Sequence, residues 1–317
     1  MKIGFLNNQI DNRGTGNAMF DYAHYNEDIL GNESFVFTFR GQSGAGNHDK
    51  KALEKYLNRF GTIYNPDHIE NMGLDAIYHI KSGRNDGISF PNTPYLVHSV
   101  FDNEPHGTVY ATISKWMGSR YNLPYVPHII NTSYPTHNLR NLLGIPLNAV
   151  VFGRHGGADT FDIPWVWNAI KRITEERDDV WFLLMNTDGP ASQVELPDRV
   201  VFVAPTAIPE NKASFINACD AMLHARQRGE TFGIAVGEFA MRGRPVITYR
   251  ESPERAHIEE LKDSAIQYSD EDELYRILDD FMPLQDWSPK YTDYTPELVM
   301  AKFKEVFLDD IDTGNKL

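Results

Sequence analysis

The chain of 317 residues holds a single cysteine, Cys219. No intramolecular disulfide can form, which fits a reducing compartment, and its apolar flanks read as those of a small buried residue. No stretch of 18 apolar residues occurs, so no membrane-spanning helix is expected. The first residues, Met1-Lys2-Ile3-Gly4-Phe5-Leu6, run into an apparent strand without the apolar core of a secretory signal, and a cytoplasmic protein is the expectation. Basic residues are also in deficit, with 30 Lys and Arg against 44 Asp and Glu, a formal charge of −14. Nucleic-acid binding rests on neutralising phosphates, so this surface disfavours a DNA or RNA partner. Metal-ligand spacings such as C-x2-C and H-x3-H are missing, as is a D-x-D following an apolar strand, since Asp310-Ile311-Asp312 sits in the acidic tail. No resident metal and no cofactor are expected. Internal repeats and low-complexity segments are absent too.

What remains is a long alternation of apolar runs and helical patterns, 41% hydrophobic overall and long enough for two domains. Strands are predicted at Lys2–Asn7, Phe35–Phe39, Ala76–Ile80, Tyr95–Phe101 and Val109–Ile113, with helical patterns at Ala18–Leu30, Lys51–Phe60 and Lys115–Tyr121. A segment rich in Pro, Asn, His and Ser, 122–138, reads as a connection. A second series follows, with strands at Val150–Arg154, Val180–Met185, Val200–Val203, Ala221–Ala225 and Pro245–Tyr249. Helices are expected at Trp165–Arg177 and Lys212–Cys219. Two doubly wound parallel α/β sheets are implied.

The richest stretch is Gly229-Glu230-Thr231-Phe232-Gly233-Ile234-Ala235-Val236-Gly237-Glu238, followed by Gly243-Arg244-Pro245-Val246-Ile247. It lies between two strands and opens a helix that Gly243 and Pro245 stop. The first turn of a helix has backbone N–H groups and a positive dipole end, a natural seat for phosphate. Carboxylates, by contrast, bind hydroxyls. Glu230 at the mouth of that seat and Glu238 two turns on therefore ask for a ligand carrying both, such as a sugar nucleotide.

The stretch resembles the E-x7-E signature of retaining glycosyltransferases of the GT-B fold, in particular family 4, where E-x-F-G-x4-E is followed by G-x-P-V-I. The resemblance implies two Rossmann-like domains facing across a cleft: residues 1–130 for the acceptor, 131–287 for the nucleotide-sugar donor, and 288–317 crossing back to the first domain through the helical pattern of Pro296–Phe307. It implies a metal-independent transfer of a hexosyl or pentosyl group to a hydroxyl of a glycan or glycoconjugate. Glu230 would hold sugar hydroxyls and Glu238 ribose hydroxyls, with Thr231, Phe232 and Gly233 lining the phosphate seat. Similar to the family's Gly-rich first loop is Asn12-Arg13-Gly14-Thr15-Gly16-Asn17, whose Gly14 and Gly16 would admit a phosphate. The third glycine of a dinucleotide fingerprint is replaced by Met19, and the second predicted strand ends in Arg40 rather than an acid, so an NAD site is not supported.

Arg154, in Val151-Phe152-Gly153-Arg154-His155-Gly156-Gly157, matches the family's diphosphate-neutralising arginine. The lysine expected a few residues later is missing, and Arg226 and Arg228 are the candidates to replace it. His98 matches the family's histidine beside the donor sugar, with His106 as rival. Lys50–Phe60 sets Leu53, Leu57 and Phe60 against Lys50, Lys51, Lys55 and Arg59, a mildly basic amphipathic helix suited to weak peripheral contact with anionic lipid or to a polyanionic acceptor. Two alternatives stay open: a sugar-nucleotide epimerase, which would consume a sugar nucleotide without an added acceptor, and a non-catalytic sugar-nucleotide or glycan-binding protein, retained because the lysine is missing. A phosphorylase would need a lysine for pyridoxal phosphate, and none is evident.

Overall fold

The computed structural model describes residues 1–11, 13–39, 48–190, 195–206, 208–283 and 287–312; Asn12 and Arg40 lie outside them. The chain divides into two units, Met1–Ile129 with Asp293–Leu317, and Ile130–Thr292. In the first, β1 (Lys2–Asn7), β2 (Glu33–Thr38), β3 (Ile63–Tyr64), β4 (Ala76–Lys81), β5 (Tyr95–Ser99) and β6 (Val109–Thr112) form one sheet in the order β3-β2-β1-β4-β5-β6. Every neighbouring pair is parallel. Helices α1 (Gly14–Asp28), α2 (Lys50–Phe60) and α3 (Lys115–Tyr121) serve as connections. β4 and β5 are buried along their whole length, as strands covered on both faces must be.

The second unit repeats the plan. Its strands are β7 (Val150–Arg154), β8 (Val180–Met185), β9 (Val200–Val203), β10 (Ala221–His224), β11 (Gly229–Glu230), β12 (Val246–Tyr249), β13 (Glu254–Arg255) and β14 (Ala265–Tyr268). Its helices are α4 (Leu139–Leu142), α5 (Val166–Glu176), α6 (Pro209–Ala218), α7 (Ile234–Ala240), α8 (Ala256–Leu261) and α9 (Glu271–Asp280). The main sheet runs β14-β12-β10-β7-β8-β9, all parallel, and β11 pairs with β13 beside it. Numbered from β7, this is the strand order of the first unit. In such sheets the crevice lies at the carboxyl ends of the strands where the order reverses, here between β1 and β4 and between β7 and β10.

The C-terminal segment carries α10 (Pro296–Phe303) and α11 (Asp309–Asp312). Thr295 caps α10 by accepting from Leu298 N–H. Phe303 stacks on Tyr22 at 5.3 Å between ring centroids and meets Tyr78 edge-on at 5.2 Å, and Phe307 lies 5.4 Å from His98. The boundary between the units, Ile129 to Ile130, falls within the segment 122–138, whose first part is tied to β6 by Val126 N–H donating to Thr112 O and by a bridge from Tyr125 to Thr112. One expectation needs correcting here. The inward face of α2 is Ala52 and Tyr56, whereas Leu57 is 40% exposed. Arg59 on that helix is spent on Glu27 (2.7 Å) and Asp28 (3.0 Å), and Lys55 lies over the Phe20 ring. Among the described residues no helix is long and apolar enough to cross a membrane.

Candidate functional site

β7 ends in Arg154 and β10 in His224, so the reversal of strand order in the second unit brings the segments that follow them together. After β10 the chain turns at Gly229, whose φ of +78° and whose distance of 2.0 Å from a Cβ position to Glu254 O permit no side chain. Glu230 is then pinned by pairing with Arg255 in the β11–β13 ladder. Gly233, at φ +87°, bends the chain into α7, which carries Glu238 inward.

A fifth of the Glu230 side chain is exposed. Its Oε1 lies 3.3 Å from His224 Nε2, and its Oε2 accepts from Arg226 Nη1 at 2.7 Å. Burial works to raise the carboxyl group, but the His224 hydrogen bond and the Arg226 charge outweigh it and hold the pKa down to about 2. Glu238 reaches the same state with other partners. Lys212 Nζ on α6 donates to Oε1 at 2.6 Å, and His155 Nε2, just after β7, lies 3.0 Å from Oε2. Desolvation again opposes, and the Lys212 and His155 charges bring the pKa to about 2. Glu238, Lys212 and Arg242 line a small recess with Asn131, Thr132 and Ser133.

Between the glutamates, Thr231, Phe232 and Gly233 are buried. Tyr291 O–H donates to Phe232 O at 3.0 Å, and its ring packs on Phe232 at 5.7 Å. Tyr291 adopts a φ of +62°, uncommon for a residue with a side chain. A Cβ at Gly237 would come within 2.8 Å of both Tyr291 and Ile130, so α7 can lie this close only because position 237 is glycine.

The remaining expected site residues lie in other settings. His98 is fully buried in the first unit. Its Nδ1 lies 2.6 Å from Tyr78 O–H, and its Nε2 faces two carbonyls, Thr112 O (3.2 Å) and Val126 O (2.9 Å). Carbonyls only accept, so Nε2 carries the proton and Tyr78 donates to Nδ1. Burial lowers the pKa to about 4 despite those carbonyls. A neutral core histidine with both nitrogens engaged has no atom for a sugar. His106, the rival, holds Glu104 O at 2.7 Å and Lys81 Nζ at 3.2 Å.

Arg154 is 3% exposed, and its guanidinium turns back into its own loop. Nη1 donates to Asn186 O (2.9 Å) and Thr187 Oγ1 (2.6 Å), Nη2 to Gly157 O and Thr160 Oγ1, both at 2.6 Å. Desolvation takes its pKa down to about 10. These bonds tie together the loops after β7 and β8. Arg228 pairs with Glu254 at 2.7 Å.

Gly14 and Gly16 form the first turn of α1 instead of a loop before it. A Cβ at Gly16 would stand 2.3 Å from Asp11 O, so the close approach this glycine permits is to the protein's own backbone. Cys219 is buried against Gly153, and burial pushes its thiol pKa up. No group of three or more His, Cys, Asp or Glu that could hold a metal occurs among the described residues.

His155, Lys212, His224 and Thr248 had no local signal as site residues. The one cue in the sequence is that His224 and Thr248 each lie near the carboxyl end of a predicted strand.

No sequence-family profile and no curated protein matches the chain. Its fold, however, recurs in solved structures. HepE of Anabaena, in complex with UDP and glucose, superposes with a TM-score of 0.68 over 100% of this chain and 97% of that one, at 16% identity. WaaG, a glycosyltransferase involved in lipopolysaccharide biosynthesis, gives 0.61 at 14% identity over 99% and 95%. A UDP-N-acetylglucosamine 2-epimerase gives 0.57 at 12% identity over 100% and 97%. At these identities the likeness establishes architecture, and the architecture of this chain is the GT-B fold, two Rossmann-like α/β units in one polypeptide.

Proposed function

We propose that this protein is a retaining glycosyltransferase of the family 4 type, moving a sugar from a nucleoside diphosphate sugar to an acceptor hydroxyl. The observation that carries the reading is the pair Glu230 and Glu238, two largely buried carboxylates each held ionised by its own cationic or imidazole partners at the two ends of one turn and helix. A sugar nucleotide presents hydroxyls on its sugar and on its ribose, with a diphosphate between. Glu230 takes the sugar hydroxyls in this reading and Glu238 the ribose hydroxyls. The backbone N–H groups of the Thr231–Gly233 turn and the guanidinium of Arg226, in the same reading, meet the charge that grows between them. Uridine is the first base to test, because HepE, which shares the fold, was solved with UDP and with UDP-glucose.

The reaction breaks the bond between the anomeric carbon and the diphosphate oxygen, with the electron pair leaving on the diphosphate. The acceptor oxygen bonds the anomeric carbon on the same face, and its proton passes to the departing phosphate oxygen. No side-chain base is then required, and in this reading charge is met by positioned donors without a metal ion.

The test is calorimetry and thermal shift with UDP, GDP, ADP and their sugar conjugates, in EDTA and then in magnesium, since a ligand that binds the folded state raises its apparent stability. A nucleotide bound in EDTA, whose sugar conjugate is consumed only when an acceptor is present, supports the transferase. Conversion of the sugar conjugate without acceptor replaces it with an epimerase. Binding without turnover leaves a sugar-nucleotide-binding protein.

A further inference from the structure

Glu230 stands at the end of a chain of hydrogen-bonding groups that runs through the second unit. His224 Nε2 meets Glu230 Oε1 at 3.3 Å. On its far side, His224 Nδ1 lies 2.9 Å from Thr248 Oγ1, and Thr248 Oγ1 lies 2.9 Å from His257 Nε2. The placement follows from the sheet, because His224 and Thr248 are register partners on the parallel strands β10 and β12, while His257 comes from α8. His224, Thr248 and His257 are all at most 5% exposed, and the imidazole rings sit 4.8 Å apart. Tyr268 O–H donates to His224 O at 3.0 Å, fixing that end of β10.

The number of protons decides how the chain is ordered. A carboxylate only accepts, so Nε2 of His224 carries a proton toward Glu230. A neutral imidazole then has a bare Nδ1, which must accept from Thr248. A hydroxyl has one proton to give, so with it committed to His224 the Thr248 oxygen accepts from His257 Nε2–H. Neutral His257 fits that role, since burial lowers its pKa well below the usual value. With both imidazoles neutral, one arrangement satisfies the three contacts at once and runs from His257 to Glu230, whereas a doubly protonated His224 would reverse the Thr248 and His257 bonds.

We propose that Thr248 and His257 brace the Nε2–H tautomer of His224 that Glu230 requires, and that His224 holds one oxygen of Glu230 while Arg226 holds the other. These are positioning residues: they fix the direction in which Glu230 presents its remaining lone pairs. The charged groups around the carboxylate are Arg226 and Arg154, with Glu254 and Arg255 on the neighbouring strand. Its catalytic consequence rests on Glu230 being the carboxylate that meets the donor sugar, whereas the tautomer does not depend on any ligand.

The experiment begins with imidazole 15N NMR of the full ligand-free chain at neutral pH. The expected result is a protonated Nε2 and bare Nδ1 on both His224 and His257. A proton on His224 Nδ1, alone or together with one on Nε2, overturns the proposal whatever the protein binds. Thr248→Val should broaden or shift the His224 signals while Thr248→Ser leaves them near wild type. UDP and UDP-glucose then serve as calorimetric probes. Thr248→Val should bind UDP within about twofold of wild type but lose roughly tenfold of the added affinity or turnover for UDP-glucose, with Thr248→Ser restoring it. Unchanged UDP-glucose behaviour in Thr248→Val overturns the positioning role. Failure of wild type to bind either probe counts against the donor reading, and the tautomers then decide the proposal alone.

Discussion

The two units share one strand order, yet the crevices at their strand reversals are furnished in opposite ways. In the first unit His79 holds Asn8 at 3.1 Å and Tyr95 O–H at 2.7 Å, and burial drives its pKa down to about 3. Lys81 beside it is almost wholly buried and pairs with Asp86 at 2.5 Å. In the second unit the carboxylates Glu230 and Glu238 stay ionised because cationic and imidazole partners were brought to them. Burial charges the same penalty in both places, and the histidines of the first unit meet it by remaining neutral. Lys81 in the first unit and the two glutamates in the second meet it instead with an ionic partner, and what distinguishes the second crevice is that the retained charges are carboxylates.

The sharpest way to break the contrast is Glu230→Gln, which should cut turnover of a sugar-nucleotide donor by about 10² to 10³ while UDP binding changes little. An equal loss of UDP affinity would show that the two glutamates do not divide the ligand as proposed. His98→Ala should do the reverse. By leaving Tyr78 O–H and two carbonyls without a partner and opening a cavity, it should cost roughly 2–4 kcal/mol in urea unfolding and leave donor affinity unchanged in the folded protein. Gly237→Ala, meeting the Tyr291 and Ile130 side chains, should cost about 1–3 kcal/mol and weaken nucleotide binding through displacement of Glu238.

Acidification sharpens the comparison further. The folded pKa of His98 (about 4) and of His79 (about 3) lies below the ordinary value of 6.5, so the unfolded chain binds protons first. Their contribution is complete above pH ~6.5 and falls by up to ~1.4 kcal/mol per pH unit for each as pH drops toward the folded values. Glu230 and Glu238, depressed to about 2 from 4.5, contribute fully above pH 4.5 and are lost only below it. Urea titrations at pH 7.5, 6 and 5 should show stability already declining between the first two. The smallest effect is expected from Lys212→Met, which removes one partner of Glu238 and should weaken UDP binding about tenfold with His155 still in place.

Sequence carried the architecture well because the parallel strands are buried on both faces and so appear as bare apolar runs, such as Val150–Arg154 and Ala221–His224. The carboxylate pair was equally plain, since its spacing lies within one turn and helix. The bonding of Arg154 was only half legible, because Gly157 and Thr160 lie in its own loop whereas Asn186 and Thr187 are 32 and 33 residues away. The surroundings of His98 were not legible at all. Position at a strand end says nothing about the packing around it, and the rings of Tyr22, Tyr78 and Phe307 that enclose it come from three distant segments. The His224–Thr248 pairing required the strand register, which apolar runs do not encode.

The first unit is discontinuous, and that has a consequence for how the protein is made. Phe303 and Phe307 complete the aromatic cluster around Tyr22, Tyr78 and His98, but they follow the whole second unit in the chain. At roughly 5–20 residues per second of translation, the N-terminal segment waits on the order of ten to thirty seconds after its last strand emerges before its missing helix arrives. Over that interval the Ile130–Thr292 unit, contiguous in sequence, can finish folding. The half of the molecule synthesised first is thus the half completed last, and the one exposed longest to chaperones and proteases.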